Sequence, residues 1–555
     1  KASLLHLLPP ELCNQLCGYL DPDSISSLLR VCKDVANKLK TQGGLLGLVL
    51  VFFSAASRPS KWPAHFVSSV PKLKSLEVAL PGRDLSTSFG LKLNISDFQT
   101  LPPNLISLNL DFVVTVQDES LAALPATLQT LRMSNCITVT DTCLAKLPRG
   151  LTRLELAKAF RVAKLADLPP SLTVLNLSSS GVTDKGVCDV PRSVLHLNLE
   201  KAEALTPACF ANLPPLLQTC EMIRPFKSMT DEDVCKLPVY LTSLNLGWNN
   251  KLTDAHVPQF PRGLTRLSSA WNENFSNQAI KMLPRSLVHL DICWPKITDD
   301  AFQHLPQGLT FLRIEAKQTL SDECLKLLPP GLKSLSLDAL DITDQGLKHI
   351  KAPLNSLQLL LAPLSADCLP FVPRTVTQLR LKEAVFNELL LRDLFHLPPY
   401  LTALNIDGNA ELKQDALQYL PRHLTLFSAA KLEISDPTHL QSLPSALRRL
   451  RVAGASTLPN NTFSFLPRYL EALTITGPEW HSEALRDLPP RLRELCVFVK
   501  PTNQGDYSPD CWGPLPDSLR LCKPANSFTY MRHESVDYWR LVETMHISSS
   551  RRRGR

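Results

Sequence analysis

The sequence predicts an α/β solenoid, with a concave parallel sheet on one side and short convex helices on the other. Three observations carry that reading. The ten-residue frame LPPNLISLNL at 101–110 returns as LPRGLTRLEL at 147–156, LPPSLTVLNL at 168–177, LPVYLTSLNL at 237–246 and LPPYLTALNI at 397–406. Nineteen anchoring prolines, from Pro102 to Pro516, space the frames at a mean of 23 residues. Within each frame the apolar residues alternate with variable ones, as Leu108 and Leu110 do around Asn109, which is the period of a strand that buries one face.

Each unit has two halves. The L-x-x-L-x-L half supplies the strand. The return half often opens on Thr-Asp: Thr140-Asp141, Thr183-Asp184, Thr230-Asp231, Thr253-Asp254, Thr298-Asp299 and Thr343-Asp344. A threonine followed by an acid predicts a helix N-cap with a favourable charge in the first turn. The next Leu-Pro then ends the helix after one or two turns. A period of about 20–29 residues with L-x-x-L-x-L falls in the leucine-rich-repeat window. The chain resembles the leucine-rich repeats of F-box receptors, particularly in its Thr-Asp-x-x-Leu return segments, and the resemblance implies a horseshoe. In such an array each unit contacts only its neighbours, so 555 residues do not imply several globular domains.

Residues 1–40 read differently. Leu12, Leu16 and Leu20 follow helical spacing after Pro9-Pro10-Glu11, and Asp21-Pro22-Asp23 breaks the chain. Ile25, Leu28, Leu29 and Cys32 then restart the helical period. This stretch resembles an F-box: Leu8-Pro9-Pro10-Glu11, Tyr19-Leu20, Asp21-Pro22 and Val31-Cys32-Lys33 follow the family pattern, with Val35 where many members carry tryptophan. The resemblance implies docking on a Skp-family adaptor through Leu8, Pro9, Leu12, Leu16, Leu20, Ile25, Leu28 and Val31. The plainer alternative is a helical cap on the repeats, which long solenoids require.

Residues 41–100 form a connecting region with irregular first repeats, including a strand near Leu45–Phe53 and a degenerate frame at 71–78. Regular repeats of about 23 residues fill 101–499, and 500–555 provides a C-terminal cap bearing Trp512, Tyr530, Tyr538 and Trp539, followed by the basic tail 548–555. The tail is a candidate nuclear-localisation element and otherwise a solvated end.

The net charge of +7 is small for this length and argues against a dedicated nucleic-acid binder. Fifteen cysteines contain no C-x-x-C pair, and Cys143, Cys209, Cys324 and Cys368 share one repeat position. That pattern predicts buried thiols in a reducing, cytoplasmic compartment rather than a disulfide ladder. The most apolar run, Leu45 to Ala56, has 12 residues, against the roughly 20 of a membrane span. No phosphate-cradling loop, metal-spaced cluster or nucleophile elbow is present, so neither a catalytic role, a cofactor nor a small-molecule substrate is expected.

Binding is the better expectation. On the strands the residue between the last two apolar positions carries both signs: Arg132, Arg313, Arg380 and Arg451 against Glu155, Glu221 and Asp291. Mixed charge suits a protein partner better than a phosphate backbone. Two residues past the last strand position stand Trp248, Trp271 and Trp294, at an even spacing of 23. Exposed aromatic clusters are common binding hot spots, and here Arg266, His289, Asp291, Arg313 and Glu315 would add polar specificity. A self-packed ladder shielding the repeat edge is the competing reading. By resemblance, the whole chain reads as the substrate-recognition subunit of an SCF-type ubiquitin ligase, with a cullin complex recruited through the adaptor and a protein substrate on the concave face. A structural scaffold without ligase role, or a receptor that clamps a ligand, are the alternatives.

Overall fold

Each frame begins with a tight Pro-x-x-Leu turn. The leucine amide returns to the proline carbonyl, as from Leu151 to Pro148 at 3.2 Å and from Leu424 to Pro421 at 3.1 Å. The turn fixes where the strand starts and leaves its two middle residues outside. The computed structural model describes residues 47–51, 74–79, 92–93, 95–111, 115–223, 231–249, 251–316, 320–338, 341–382, 393–407, 412–430, 432–433, 436–453, 462–476, 487–498, 521–525, 528–532 and 539–543. The F-box-like residues Leu8, Pro9, Leu12, Leu16, Leu20, Ile25, Leu28 and Val31 lie outside these, as do Thr230, Trp512, Tyr538 and the basic tail.

The chain forms two compact units, Lys1–Asn274 with Met282–Leu287, and Phe275–Lys281 with Val288–Arg555. In the first unit the strands run parallel from Gly47–Val51 and Ser75–Ala79 through Ser107–Asn109, Thr130–Arg132 and Arg153–Glu155. They continue through Val174–Asn176, His196–Asn198, Thr219–Glu221, Ser243–Asn245 and Arg266–Ser269. Register is strict: Leu108 faces Leu131, Leu131 faces Leu154, and Leu154 faces Leu175. In the second unit His289–Cys293, Phe311–Glu315, Ser334–Asp338 and Ser356–Leu360 begin a second parallel series. That series reaches Glu494–Phe498 and Leu521–Ala525, after which Phe528–Arg532 and Trp539–Glu543 pair antiparallel. Tyr530 and Trp539 lie in these two closing strands.

The core is the stack of frame leucines. Leu105, Leu108 and Leu110 are fully buried, and so are Leu309, Leu312 and Ile314 in the second unit. The return segments cover this stack from the other side. Among the described residues most are short 3-10 turns, such as Asp141–Lys146 and Asp299–His304, rather than α-helix. Five or six residues bounded by proline leave little room for i→i+4 bonds, so the tighter i→i+3 pattern prevails.

The caps form as expected at several of these segments. Thr140 accepts from the Thr142 amide at 3.4 Å, Thr183 from Gly186 at 3.4 Å, and Ser365 from Asp367 at 3.1 Å. The acids do more than the motif suggested. Asp118 accepts from the Thr140 amide at 3.0 Å, from the Thr142 hydroxyl at 2.5 Å, and closely from the Thr140 hydroxyl. Asp299 holds Ser321 through its amide and hydroxyl at 3.0 and 2.6 Å. Asp322 holds Thr343 at 2.8 and 2.7 Å, and Asp344 holds Ser365 at 2.8 and 2.6 Å. Each acid therefore fastens its own return segment to the next one. At the strand-entry side a hydroxyl does the same, Ser171 donating to the carbonyls of Arg149 and Leu151 at 2.7 and 2.8 Å.

Cys143, Cys209, Cys324 and Cys368 are free thiols with no exposed surface. Burial pushes each thiol far above its ordinary value of 9.0, and neighbouring carboxylates such as Asp118 beside Cys143 push the same way. The native state thus binds protons that the unfolded chain releases above pH 9.0. These four groups therefore stabilise the fold below that pH and cease to do so as pH rises through and beyond it. We expect iodoacetamide at pH 8 to label exposed Cys188 and Cys235 while sparing these four until denaturant is added, with mass spectrometry of tryptic peptides as the readout.

Candidate binding surface at the strand exits

Where a strand ends in the first unit, the chain must turn out of the sheet within a few residues. It does so through a residue in the left-handed region: Asn135, Lys158, Ser179, Lys201, Trp248 and Trp271 all have φ between 54° and 66°. Non-glycine residues seldom adopt this conformation. The turn amides recover the cost through bonds to the following repeat, Lys158 to Ser178 O at 2.8 Å and Trp248 to Ala270 O at 2.7 Å. The next residue then points inward: Cys136, Ala159 and Ala202 are fully buried, and Asn249 and Asn272 nearly so.

Those two asparagines build a short ladder. Asn272 accepts from the Asn249 amide at 2.7 Å and donates to Leu246 O at 3.0 Å. Asn249 donates to Leu246 O at 2.9 Å and to Met222 O at 3.3 Å. Buried amides that satisfy backbone carbonyls hold both turns rigid. On that base Trp248 and Trp271 stand outward, 41% and 40% exposed, with ring centroids 5.1 Å apart and planes inclined by 23°. The predicted pair is therefore stacked and held by its own turns.

Trp294 departs from the expectation. It is fully buried, its ring 4.4 Å from Phe275. The reason is one missing residue. Leu252 follows Leu246 by six positions and Phe275 follows Ser269 by six, whereas Ile297 follows Ile292 by only five. The shorter turn omits the left-handed residue, so Trp294 takes the inward slot that Asn249 occupies. Both residues make the same backbone bond, Leu252 N–H to Asn249 O at 3.1 Å and Ile297 N–H to Trp294 O at 3.3 Å. Counted from the strand it matches Trp271; counted from the next core residue it matches Asn272. The core count decides, because burial of a large ring outweighs a surface position.

The polar residues expected beside the tryptophans fall in both units. Arg266 is exposed on its strand in the first unit, and its charge opposes the rise that burial imposes on the Glu221 carboxyl. In the second unit Asp291, Arg313 and Glu315 are brought together. Arg313 lies 3.9 Å from Asp291 and close to Glu315. Burial raises the Asp291 carboxyl, Arg313 lowers it, and Glu315 raises it again. His289 stacks on Phe311 at 4.0 Å. The same internal pairing recurs in the first unit, where Arg132 bridges Asp111 at 2.7 Å and Glu155 at 3.4 Å. The mixed charges of the strand column thus largely neutralise one another across neighbouring strands. They make a polar face of low net charge rather than a row of open charges. Among the described residues no three His, Cys, Asp or Glu side chains converge as metal ligands, and no helix is long and apolar enough to cross a membrane.

Residues 169–187 and 239–255 match the Leucine Rich repeat family model. No curated protein matches the chain. Among solved structures, the chain is similar to CroV588, described as a novel circular leucine-rich-repeat protein, with 18% identity over 88% of this chain and 74% of that one, at a TM-score of 0.40. A strand, an inward-facing turn residue and a capped return segment, repeated in register, make this fold a leucine-rich-repeat solenoid.

Proposed function

We propose that the chain is a non-catalytic protein-binding scaffold, used as the substrate-recognition subunit of an SCF-type ubiquitin ligase. The observation that carries the binding reading is the exposed Trp248–Trp271 stack, held outward by left-handed turns over a buried asparagine ladder. Rigid aromatic anchors of this kind lose little conformational entropy on binding and are frequent hot spots. The ligase assignment rests on the F-box-like residues 8–39 and their resemblance to adaptor-binding helices. Catalysis would then be supplied in trans, the scaffold raising the local concentration of substrate beside the conjugating enzyme.

Affinity purification of the full chain tests both halves of the reading. Deleting residues 1–40 is expected to remove a Skp-family adaptor and cullin from the recovered complex. Trp248→Ala with Trp271→Ala is expected to keep the adaptor and to weaken the substrate by about tenfold or more. Recovery of one stable complex without adaptor or cullin from the intact chain would replace the ligase role with that of a structural subunit.

A further inference from the structure

The other ends of the strands carry a different surface. We propose that the strand-entry edge of the second unit binds acidic peptide segments through a row of arginines. The row arises from the Pro-x-x-Leu turns. Their middle residues point away from the core, and consecutive turns are stitched together by backbone bonds. Arg448 N–H reaches Thr425 O at 2.8 Å, Glu471 N–H reaches Arg448 O at 2.7 Å, and Arg493 N–H reaches Glu471 O at 2.8 Å. Whatever occupies the turn therefore lines up from repeat to repeat.

In these turns stand Arg374, Arg422, Arg468 and Arg491, all exposed, and no acid shares their two positions from 373 to 492. Arg449 and Arg493 flank them on the exposed strand starts. Among the described residues none of Arg422, Arg449, Arg468, Arg491 or Arg493 forms an ion pair, whereas the strand-column arginines Arg313 and Arg451 do. Arg448 lies 3.9 Å from Glu471, and Glu494 and Asp487 are further acids beside these turns in the sequence. An excess of guanidinium groups without ion pairs on one edge is a surface complementary to anions.

The aromatic residues decide between two kinds of anion. Tyr469 is packed by two guanidinium groups, Arg448 at 5.2 Å and Arg491 at 4.7 Å from its ring centre. Tyr400 and His423 stack on each other at 6.1 Å. A single-stranded nucleic acid would stack its bases on ring faces, and here Tyr469 already carries two guanidinium groups while Tyr400 and His423 already stack on each other. Stacking on Tyr469 instead orients the Arg448 and Arg491 forks, which suits bidentate capture of carboxylate or phosphate groups. Strands about 4.8 Å apart place Arg422 and Arg468, two repeats apart, at roughly 10 Å. An extended peptide presents same-side groups every 7 Å or so, within the reach of arginine side chains. The occupant is thus a peptide bearing clustered carboxylates or phosphates.

The test is fluorescence anisotropy with the full chain and labelled peptides of about twelve residues: one glutamate-rich, one with phosphoserines, one neutral, beside a single-stranded oligonucleotide of equal net charge. Both acidic peptides are expected to bind and the neutral one to fail. Arg422→Gln, Arg468→Gln and Arg491→Gln together are expected to weaken binding by about tenfold or more, with an unchanged melting curve because all three side chains are exposed. Independently of any variant, raising salt from about 50 to about 200 mM is expected to weaken wild-type binding severalfold. The proposal is overturned if the triple variant binds within about twofold of wild type. It is equally overturned if neither acidic peptide binds, if salt has no effect, or if the oligonucleotide binds more tightly than both peptides.

Discussion

Trp294→Ala is expected to cost about 3–5 kcal/mol of stability, the range for truncating a fully buried aromatic ring. Trp248→Ala with Trp271→Ala is expected to cost about 1 kcal/mol, the value of one exposed aromatic stack. Urea unfolding followed by circular dichroism compares the two directly. The three residues have the same side chain and the same spacing of 23 in the sequence, so composition and period cannot separate them. What separates them is the turn. Trp294 fills an inward slot against Phe275, and an alanine there leaves a cavity that the rigid frame leucines cannot close. The outer pair loses a stack and some surface. An outer double variant less stable than Trp294→Ala would contradict the assignment of slots.

Asp118→Ala is expected to cost about 2–3 kcal/mol. The carboxylate is largely buried and serves the Thr140 amide, the Thr140 hydroxyl and the Thr142 hydroxyl. Its removal takes the shared acceptor from an amide and two hydroxyls at one repeat junction. In a solenoid the coupling between neighbours is the stability, so a single junction weakens the cooperative unfolding of everything around it. Asp118→Asn keeps an acceptor for the amide and is expected to lose less than half as much. Thermal denaturation of the two variants provides the check. Equal melting temperatures for Asp118→Ala and wild type would show that the fastening acids are ornamental.

Much of the fold was legible because the repeat imposes itself residue by residue. Leu105, Leu108 and Leu110 alternate as a strand, and the structure makes them one. Cys143 and its three counterparts share one inward position of the return segment, just before a buried apolar residue, so their burial followed from position. The tryptophan stack was legible in part. Register places Trp248 and Trp271 together at the strand exits, whereas the one-residue deletion before Ile297 turns Trp294 inward. The shortened interval between Ile292 and Ile297 was the available signal. The fastening role of Asp118, Asp322 and Asp344 was hidden for another reason. Each looks like a local helix-start acid, yet its partner lies 21 or 22 residues ahead. The strand charges misled similarly: Arg132 and Arg313 read as open binding groups until neighbouring strands supplied Asp111, Glu155, Asp291 and Glu315.

The fastening acids all reach the same way. Asp118 serves Thr140, Asp184 serves Thr206, Asp299 serves Ser321 and Asp344 serves Ser365, always from an earlier repeat to a later one. The array therefore has a grammar like that of a one-way zip, with a hook on each tooth and an eye on the next. Cutting between two teeth leaves unlike ends: the upstream piece ends on a carboxylate, and the downstream piece begins with an amide and a hydroxyl, all of them open to water. Shortening the protein from its two ends is thus two different operations, one baring an acceptor at the new end and the other baring donors.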